Sequence, residues 1–600
     1  MAGVKILLLT HLFNSLAQRL HVELREWGHE VTVEFDIADA VTEEAVTLAR
    51  PDLVLAPFMK RRIPESVWSR HLCLVVHPGP PGDGGPSALD HAILAGERDW
   101  GVTVLQATGE LDAGPVWAWS PFTMREACKG DLYRREVVDA AVRAVRAALA
   151  RWRPGCSAPM PSPELPARRG CWQPPVTAAE RAVDWARDDT ETVLRRIRSA
   201  DGAPGVQAQL AGRACRLYDA HRVSATTLGA VLTAVSQAAP GALLARRGPA
   251  LLVRTRDAAL WIGHVRAGAA APGRPELKLA ATRAFAAEAA ALPELAVPLE
   301  HPDDEWDELR YCELGPAGAR VGWLEFDFHN GAMSTRQCER LRAALDEVRA
   351  RPTRLLVLAG GAGFFGNGIH LHDIEAAADA EDDSAADASW RNINAIDDVA
   401  LALIGLTDRL VVAALRGNAG AGGCFLALAA DEVWAHAGVV LNPHYKNMGN
   451  LYGSEYWTYL LPRRVGGAPD DGACRRIMQG RLPIGVHEAR ALGLVDRCLA
   501  DEAASFDAAA QAAALELAAA PGLAGRIAAK ARRRAADEAV KPLAQYRAEE
   551  LGRMQRNFYG FDPSYHVARH HFVARKPQAW TPRHLAVHRA PAAAQPDAPR

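Results

Sequence analysis

No two of the ten cysteines form a CxxC pair; they are scattered from Cys73 to Cys498. That excludes a zinc ribbon or a disulfide framework and fits the reduced thiols of a cytoplasmic protein. Net charge is lacking too, since 69 Lys and Arg against 71 Asp and Glu leave −2 at pH 7 and a pI near 6.9. There is thus no whole-chain pull toward nucleic acid or a membrane surface. No apolar run reaches membrane-spanning length, and "MAGVKILLLTHLFNS" carries one lysine, a short apolar run and no cleavage-site pattern. That run reads as a first β-strand. What is present is 600 residues, 49% hydrophobic and 23% charged, too long for one hydrophobic core and consistent with two to four domains.

From Val4 to about Thr108 short apolar runs alternate with amphipathic stretches. "VKILLLT", "EVTVEF", "LVLAPF", "CLVVH" and "GVTVLQA" read as strands, and Leu16, Leu20, Leu24 and Trp27 mark one face of a helix between the first two. The rhythm predicts an α/β fold, a parallel sheet with crossover helices over residues 1–165, with ligands beyond the carboxyl ends of the strands. A proline-rich stretch at 151–170 reads as a linker, and 166–297 as a small β-rich, OB-like domain. The acidic "PLEHPDDEWDEL" reads as a second joint, and a further α/β domain with a helical end is placed at 309–575. Residues 576–600, ending in "APAAAQPDAPR", are poor in bulky apolar groups and are expected to be disordered.

The first stretch that carries chemistry is "HPGPPGDGG", residues 77–85. His77 closes a strand, so its imidazole stands at the mouth of the sheet. The prolines and glycines after it, Gly79 among them, keep bulk away and let backbone approach a flat ligand. Asp112 follows in "LDAGP". Residues 77–118 resemble the folate-dependent formyltransferases, and "DWARDDTETVLRRIRSADGAPG" is similar to the C-terminal β-domain of the methionyl-tRNA enzyme. The resemblance implies that His77 and Asp112 are the catalytic pair that moves a formyl group off 10-formyltetrahydrofolate. Histidine suits the work because one proton must be taken from the nucleophile and one delivered to the departing nitrogen. One departure stands out. Val75 occupies the asparagine position of the family's Asn-x-His, and losing such a donor costs roughly 3 kcal/mol of transition-state stabilisation. "FNSLAQR" (13–19), at the start of the first helix, offers Asn14, Ser15 and Gln18 to the folate.

Two later stretches, "LLVLAGGAGFFGNGIHLHDI" and "VVAALRGNAGAGGCFLALAADEVWA", each run from a strand into a glycine-rich turn and a helix. That arrangement aims backbone N–H groups into a cleft. Over roughly 309–500 their order resembles the crotonase, or enoyl-CoA hydratase/isomerase, superfamily. The resemblance implies that the amides of Ile369 and Gly422, in turns carrying Gly368 and Gly423, hold the carbonyl oxygen of a coenzyme A thioester. The hydratase glutamates are missing: Phe425 takes the first position, and the second falls at or near His444. Proton handling is therefore assigned to "NPHYKNMGNLYGSEYWTY" (442–459), with Tyr445 and Glu455 foremost and His444 third. "HLHD" (370–373) lacks a third ligand cluster elsewhere, so no metal is expected. "HVARHH" (566–571) reads as a solvated or partner-facing surface.

A formyl-donor site and a thioester site in one chain are complementary, because formyl transfer to the thiol of coenzyme A gives formyl-CoA. With "FNSLAQR", "HPGPPGD" and "YGSEYWTY", nearly the whole chain resembles the HypX/HoxX-type hydrogenase maturation factors. The resemblance implies synthesis of the carbon monoxide ligand of nickel-iron hydrogenase by decarbonylation of formyl-CoA. Hydrogenase maturation proteins or the hydrogenase large subunit are the implied partners. Two other readings stay open: a formyltransferase or hydrolase whose second half binds an acyl-CoA regulator, and a non-catalytic maturation scaffold.

Overall fold

The computed structural model describes residues 3–152, 159–161, 165, 170–268, 274–378 and 380–590. They form two compact units: Met1–Ala182 with Arg195–Pro204 and Pro577–Arg600, and Val183–Leu194 with Gly205–Lys576.

The first unit is built on strands β1 (Lys5–Thr10), β2 (Glu30–Phe35), β3 (Leu53–Phe58), β4 (Cys73–His77), β5 (Asp99–Gln106) and β6 (Val116–Thr123). Their order is β2-β1-β3-β4-β5-β6. β1 to β4 form the expected parallel sheet. β5 and β6 extend it antiparallel, a hairpin that apolar periodicity alone does not distinguish from a crossover. Leu7, Leu9, Val54, Ala56 and Cys73 bury one core with Ala45 and Val46 of the Asp39–Ala49 helix, as near-continuous apolar strands covered by helices require.

The boundary at 165 moves. Gly170 N–H donates to Pro81 C=O (3.0 Å), and Gln173 N–H to Gly84 C=O (2.9 Å). Residues 170–182 therefore belong with the first sheet, because the glycine turn leaves backbone groups open to pairing. Most of the proposed 151–170 linker lies outside the described residues.

The expected disordered tail is corrected as well. Val33 N–H of the edge strand β2 donates to Leu585 C=O (3.0 Å). Thr581, His588 and Arg589 converge on the buried Glu34 carboxylate, and Leu585 and Ala586 are buried. An uncovered edge strand invites pairing, and this segment supplies it. Residues 591–600 lie outside the described residues.

The second unit contains an antiparallel sheet of β7 (Val206–Leu210), β8 (Arg213–Arg222), β9 (Leu243–Arg247), β10 (Ala250–Arg254), β11 (Ala259–Ala267) and β12 (Leu279–Ala280), in the order β7-β8-β11-β10-β9 with β12 on β11. The same unit holds β13 (Leu309–Leu314), β14 (Val321–Phe326), β15 (Leu355–Ala359), β16 (Phe364–Gly366), β17 (Leu410–Leu415), β18 (Asn418–Gly420), β19 (Glu432–His436), β20 (Val440–Asn442), β21 (Ile484–Gly485) and β22 (Arg497–Ala500). These make a large sheet, β13-β14-β15-β17-β19-β22, and a small one, β16-β18-β20-β21. The regions separated in the sequence at 297–309 thus form one compact body. Among the described residues no single helix is long and apolar enough to cross a membrane.

Candidate functional sites

His77 ends β4, opposite Thr103 of β5. The turn after it is pinned by two bonds: Trp100 Nε1–H donates to Pro78 C=O (2.9 Å) and Thr103 Oγ1 to Gly79 C=O (2.8 Å). The imidazole is buried and lies between two carboxylates. Its Nε2 is 2.7 Å from Asp83 Oδ2, and its Nδ1 is 3.7 Å from Asp112 Oδ2. Asp112 has φ of +57° and accepts the Gly85 N–H at 3.0 Å.

Gly79 is required here, since a Cβ would sit 2.2 Å from Asp83 Oδ2 and 2.7 Å from His77 Nε2. Sequence reasoning took this glycine for a ligand-approach position; its visible task is to make room for the His77–Asp83 contact. Asp83 itself was missed. The only signal was an acidic residue inside a turn otherwise made of proline and glycine.

Val75 sits between Ala56 and Leu105 in the sheet, so its position supplies no donor. Asn14 is the N-cap of the Ser15–Glu26 helix; its Oδ1 accepts Ala17 N–H (3.0 Å) and its Nδ2 donates to the Tyr133 hydroxyl (3.2 Å). Burial pushes the Tyr133 phenol up. Gln18 Nε2 donates to Phe13 C=O (2.9 Å), and Ser15 opens the helix. In place of the folate contacts expected of these residues, the structure shows helix-start bonds, the ordinary use of an Asn N-cap.

In the second unit the two glycine turns touch. A Cβ on Gly368 (φ +78°) would lie 3.3 Å from Gly422 N. The first turn is fixed by Met333 N–H to Gly368 C=O (2.9 Å) and by Asn392, which accepts His370 N–H (2.9 Å) and donates to Met333 C=O (2.8 Å). In the second, Ala421 adopts φ +45°, ψ −124° and donates to Asn442 C=O (2.9 Å), so that a helix starts at Gly422. The Ile369 and Gly422 amides have no hydrogen-bond partner among the described residues. Gly423 differs from its expected ligand role: a Cβ there would meet Gly366 O at 2.0 Å, so its absence serves backbone packing.

Glu455 faces this place. A Cβ on Gly422 would lie 2.2 Å from Glu455 Oε1. Its other oxygen accepts the Tyr445 hydroxyl at 2.5 Å and Ser454 N–H at 3.2 Å. Tyr445 stacks on Phe425, with ring centroids 5.5 Å apart and planes at 14°, so Phe425 backs the tyrosine that binds Glu455. His444 is buried, its N–H on Asn442 C=O at 2.8 Å.

Behind Glu455 lies Asp397, from the Ala385–Ile404 helix. It accepts Glu455 N–H at 2.8 Å and lies 2.7 Å from the Ser454 hydroxyl through each oxygen. Burial, reinforced by the Asp397 charge, pushes Glu455 up to about 8. Asp397 is pushed by burial to about 6. Glu455 and Tyr456 hold consecutive positive φ values of 60° and 59°. The strained pair is held from below by Glu550, which accepts Tyr456 N–H (2.9 Å) and Thr458 N–H (2.8 Å). Asp397 and Glu550 were not foreseen; each comes from a helix remote in sequence.

The histidine clusters have structural roles. His370 Nδ1 accepts Asp373 N–H at 3.1 Å and caps the Leu371–Ala377 helix. Arg569 and His570 of "HVARHH" both bind Glu375 of that helix, at 2.8 Å each, so this stretch is partly docked and not simply a solvated surface. Asp219, His264 and His329 converge closely enough to bind a cation. The Lys278 ammonium nevertheless lies 2.7 Å from His329 Nε2, and its charge opposes a cation there. Burial pushes the Asp219 carboxyl up, but the charges of His329 and His221 outweigh it and hold the group well below its usual range, as in an internal ionic network.

The enoyl-CoA hydratase/isomerase family model matches residues 325–582, and the formyl transferase C-terminal domain model matches 175–275. A hydrogenase maturation factor HoxX of Bradyrhizobium diazoefficiens is 54% identical over 590 residues, spanning 98% of this chain and 97% of that protein. The crystal structure of HypX from Aquifex aeolicus in complex with tetrahydrofolic acid matches with a TM-score of 0.90 at 41% identity, covering 98% of this chain and 100% of that one. A methionyl-tRNA formyltransferase of Dechloromonas aromatica is 25% identical over 33% of this chain and 63% of its own length.

Proposed function

The chain belongs to the HoxX/HypX family of hydrogenase maturation factors, and from that premise we propose that it makes carbon monoxide in two steps. The first unit transfers the formyl group of 10-formyltetrahydrofolate to the thiol of coenzyme A. The second unit decarbonylates formyl-CoA to carbon monoxide and coenzyme A. The tetrahydrofolate in the similar HypX structure supports the pterin assignment. The product serves the hydrogenase maturation machinery, and no resident metal is needed.

In the first step His77 takes the thiol proton as sulfur attacks the formyl carbon, and returns it to the pterin nitrogen as the C–N bond breaks. Asp112, nearby, stabilises the charged ring. In the second step the amides of Ile369 and Gly422 hold the formyl oxygen. Neutral Glu455 protonates the departing sulfur, and the resulting carboxylate, steadied by the Tyr445 hydroxyl, takes the proton from carbon. The C–S and C–H bonds break, the S–H bond forms, and the carboxyl ends as it began.

The observation that carries this reading is a buried carboxyl kept protonated near neutral pH and directed at Gly422. A group of this kind suits proton delivery to a thiolate better than the addition of water to an alkene. The test supplies carbonyl-labelled 10-formyltetrahydrofolate and coenzyme A to the purified chain. Labelled carbon monoxide is expected; labelled formate alone would defeat the decarbonylase assignment.

A further inference from the structure

Resting on the formyl-transfer reading above, we propose that Asp83 is the positioning residue of the first site. It anchors His77 through Nε2, so that Nδ1, on the side of Asp112, is the nitrogen that exchanges the proton with substrate.

The two carboxylates are not equivalent. Asp83 is within hydrogen-bond distance of the ring at 2.7 Å, whereas 3.7 Å to Asp112 is too long for a hydrogen bond. The Asp83 side chain is 1% exposed and that of Asp112 18%. Asp112 is already engaged by the Gly85 N–H. One face of the imidazole is thus closed by a buried anion, and the other opens toward a partly solvated carboxylate.

The surrounding backbone is shaped around Asp83. Its N–H donates to Pro80 C=O at 2.9 Å. A Cβ on Gly79 would strike its carboxylate, and one on Gly170 would come within 2.4 Å of its Cβ. A carboxylate on Nε2 keeps the proton there, leaving Nδ1 bare in the neutral ring. This is the orienting task of the buried aspartate in Ser-His-Asp sites. The chemistry balances: Nδ1 receives the thiol proton as the S–C bond forms and gives it to N10 as the C–N10 bond breaks.

The test uses the full chain with 10-formyltetrahydrofolate and coenzyme A, following tetrahydrofolate release. In Asp83→Asn, kcat is expected to fall by about 10²–10⁴-fold, with KM for the folate and the affinity for tetrahydrofolate within about threefold of wild type, since a positioning residue acts on the chemical step. Gly79→Ala, which displaces the carboxylate while leaving it in the chain, should lower kcat in the same direction. The ring ¹⁵N resonances of His77, identified by their loss in His77→Gln, should show the Nε2-protonated tautomer in the wild-type protein and a redistribution in Asp83→Asn. The proposal is overturned by an Asp83→Asn enzyme with unaltered kcat, by loss of folate affinity with kcat retained, or by an Nδ1-protonated ring in the wild type. A wild-type chain that releases no tetrahydrofolate overturns the formyl-transfer reading instead, so the two failures are told apart.

Discussion

The two candidate sites surround their central side chains in opposite ways. Around His77 the imidazole stands between two carboxylates, Asp83 and Asp112. Around Glu455, beside the Tyr445 hydroxyl, stand two further carboxyls, Asp397 and Glu550, and burial pushes all three carboxyls up. The first site sets carboxylates beside an imidazole; the second sets carboxyls beside a carboxyl, which disfavours its charged form. In the reaction proposed above, a ring that gains and loses a proton within one turnover benefits from anions beside it. In that same proposal, an acid that stays loaded until sulfur departs benefits from their repulsion.

The contrast can be broken at its strongest point first. Glu455→Gln keeps the shape but removes the transferable proton, and carbon monoxide release is expected to fall by about 10⁴-fold while tetrahydrofolate release continues. Both are read in one assay, by trapping the gas and following the pterin. Loss of both products together would mean that the halves are not separable. Next, His77→Gln should slow tetrahydrofolate release by about 10³-fold yet leave decarbonylation of supplied formyl-CoA at the wild-type rate. Tyr445→Phe retains the stacking on Phe425 and removes one hydrogen bond to Glu455; a loss of about 10- to 100-fold in carbon monoxide release is expected, read as initial rate.

The smallest effect is in pH. A carboxyl raised to about 8 is neutral and able to donate below that pH and loses its proton above it. Decarbonylation of supplied formyl-CoA should therefore fall by up to about tenfold per pH unit above 8. In Asp397→Asn the like charge is gone, so the fall should begin at lower pH. A profile that does not move would assign the shift of Glu455 to burial alone.

How much of this was legible in the sequence depended on distance along the chain. β1 to β4 declare themselves by apolar runs, and His77 and Asp112 lie in one contiguous motif. Tyr445 and Glu455, ten residues apart, could be singled out because they share one aromatic, polar stretch. Asp83 escaped because a turn of glycine and proline reads as shape, not chemistry. Asp397 reaches Glu455 across 58 residues, and Glu550 reaches Tyr456 across 94. No periodicity marks either, since a buried carboxyl on an amphipathic helix resembles any polar residue on its solvated face. The β5–β6 hairpin and the coverage of β2 were missed for a related reason: strand direction and edge protection are decided by partners, not by the strand's own residues.

The covered edge of β2 has a consequence for biosynthesis. Phe35 N–H is received by the Thr581 hydroxyl, 546 residues later, so that edge of the first unit is closed only by residues that follow the whole of the second unit in the chain. A nascent chain can complete that edge only after the second unit has been synthesised. In the two-step reaction proposed above, the unit that would make the reactive intermediate is thus completed after the unit that would consume it.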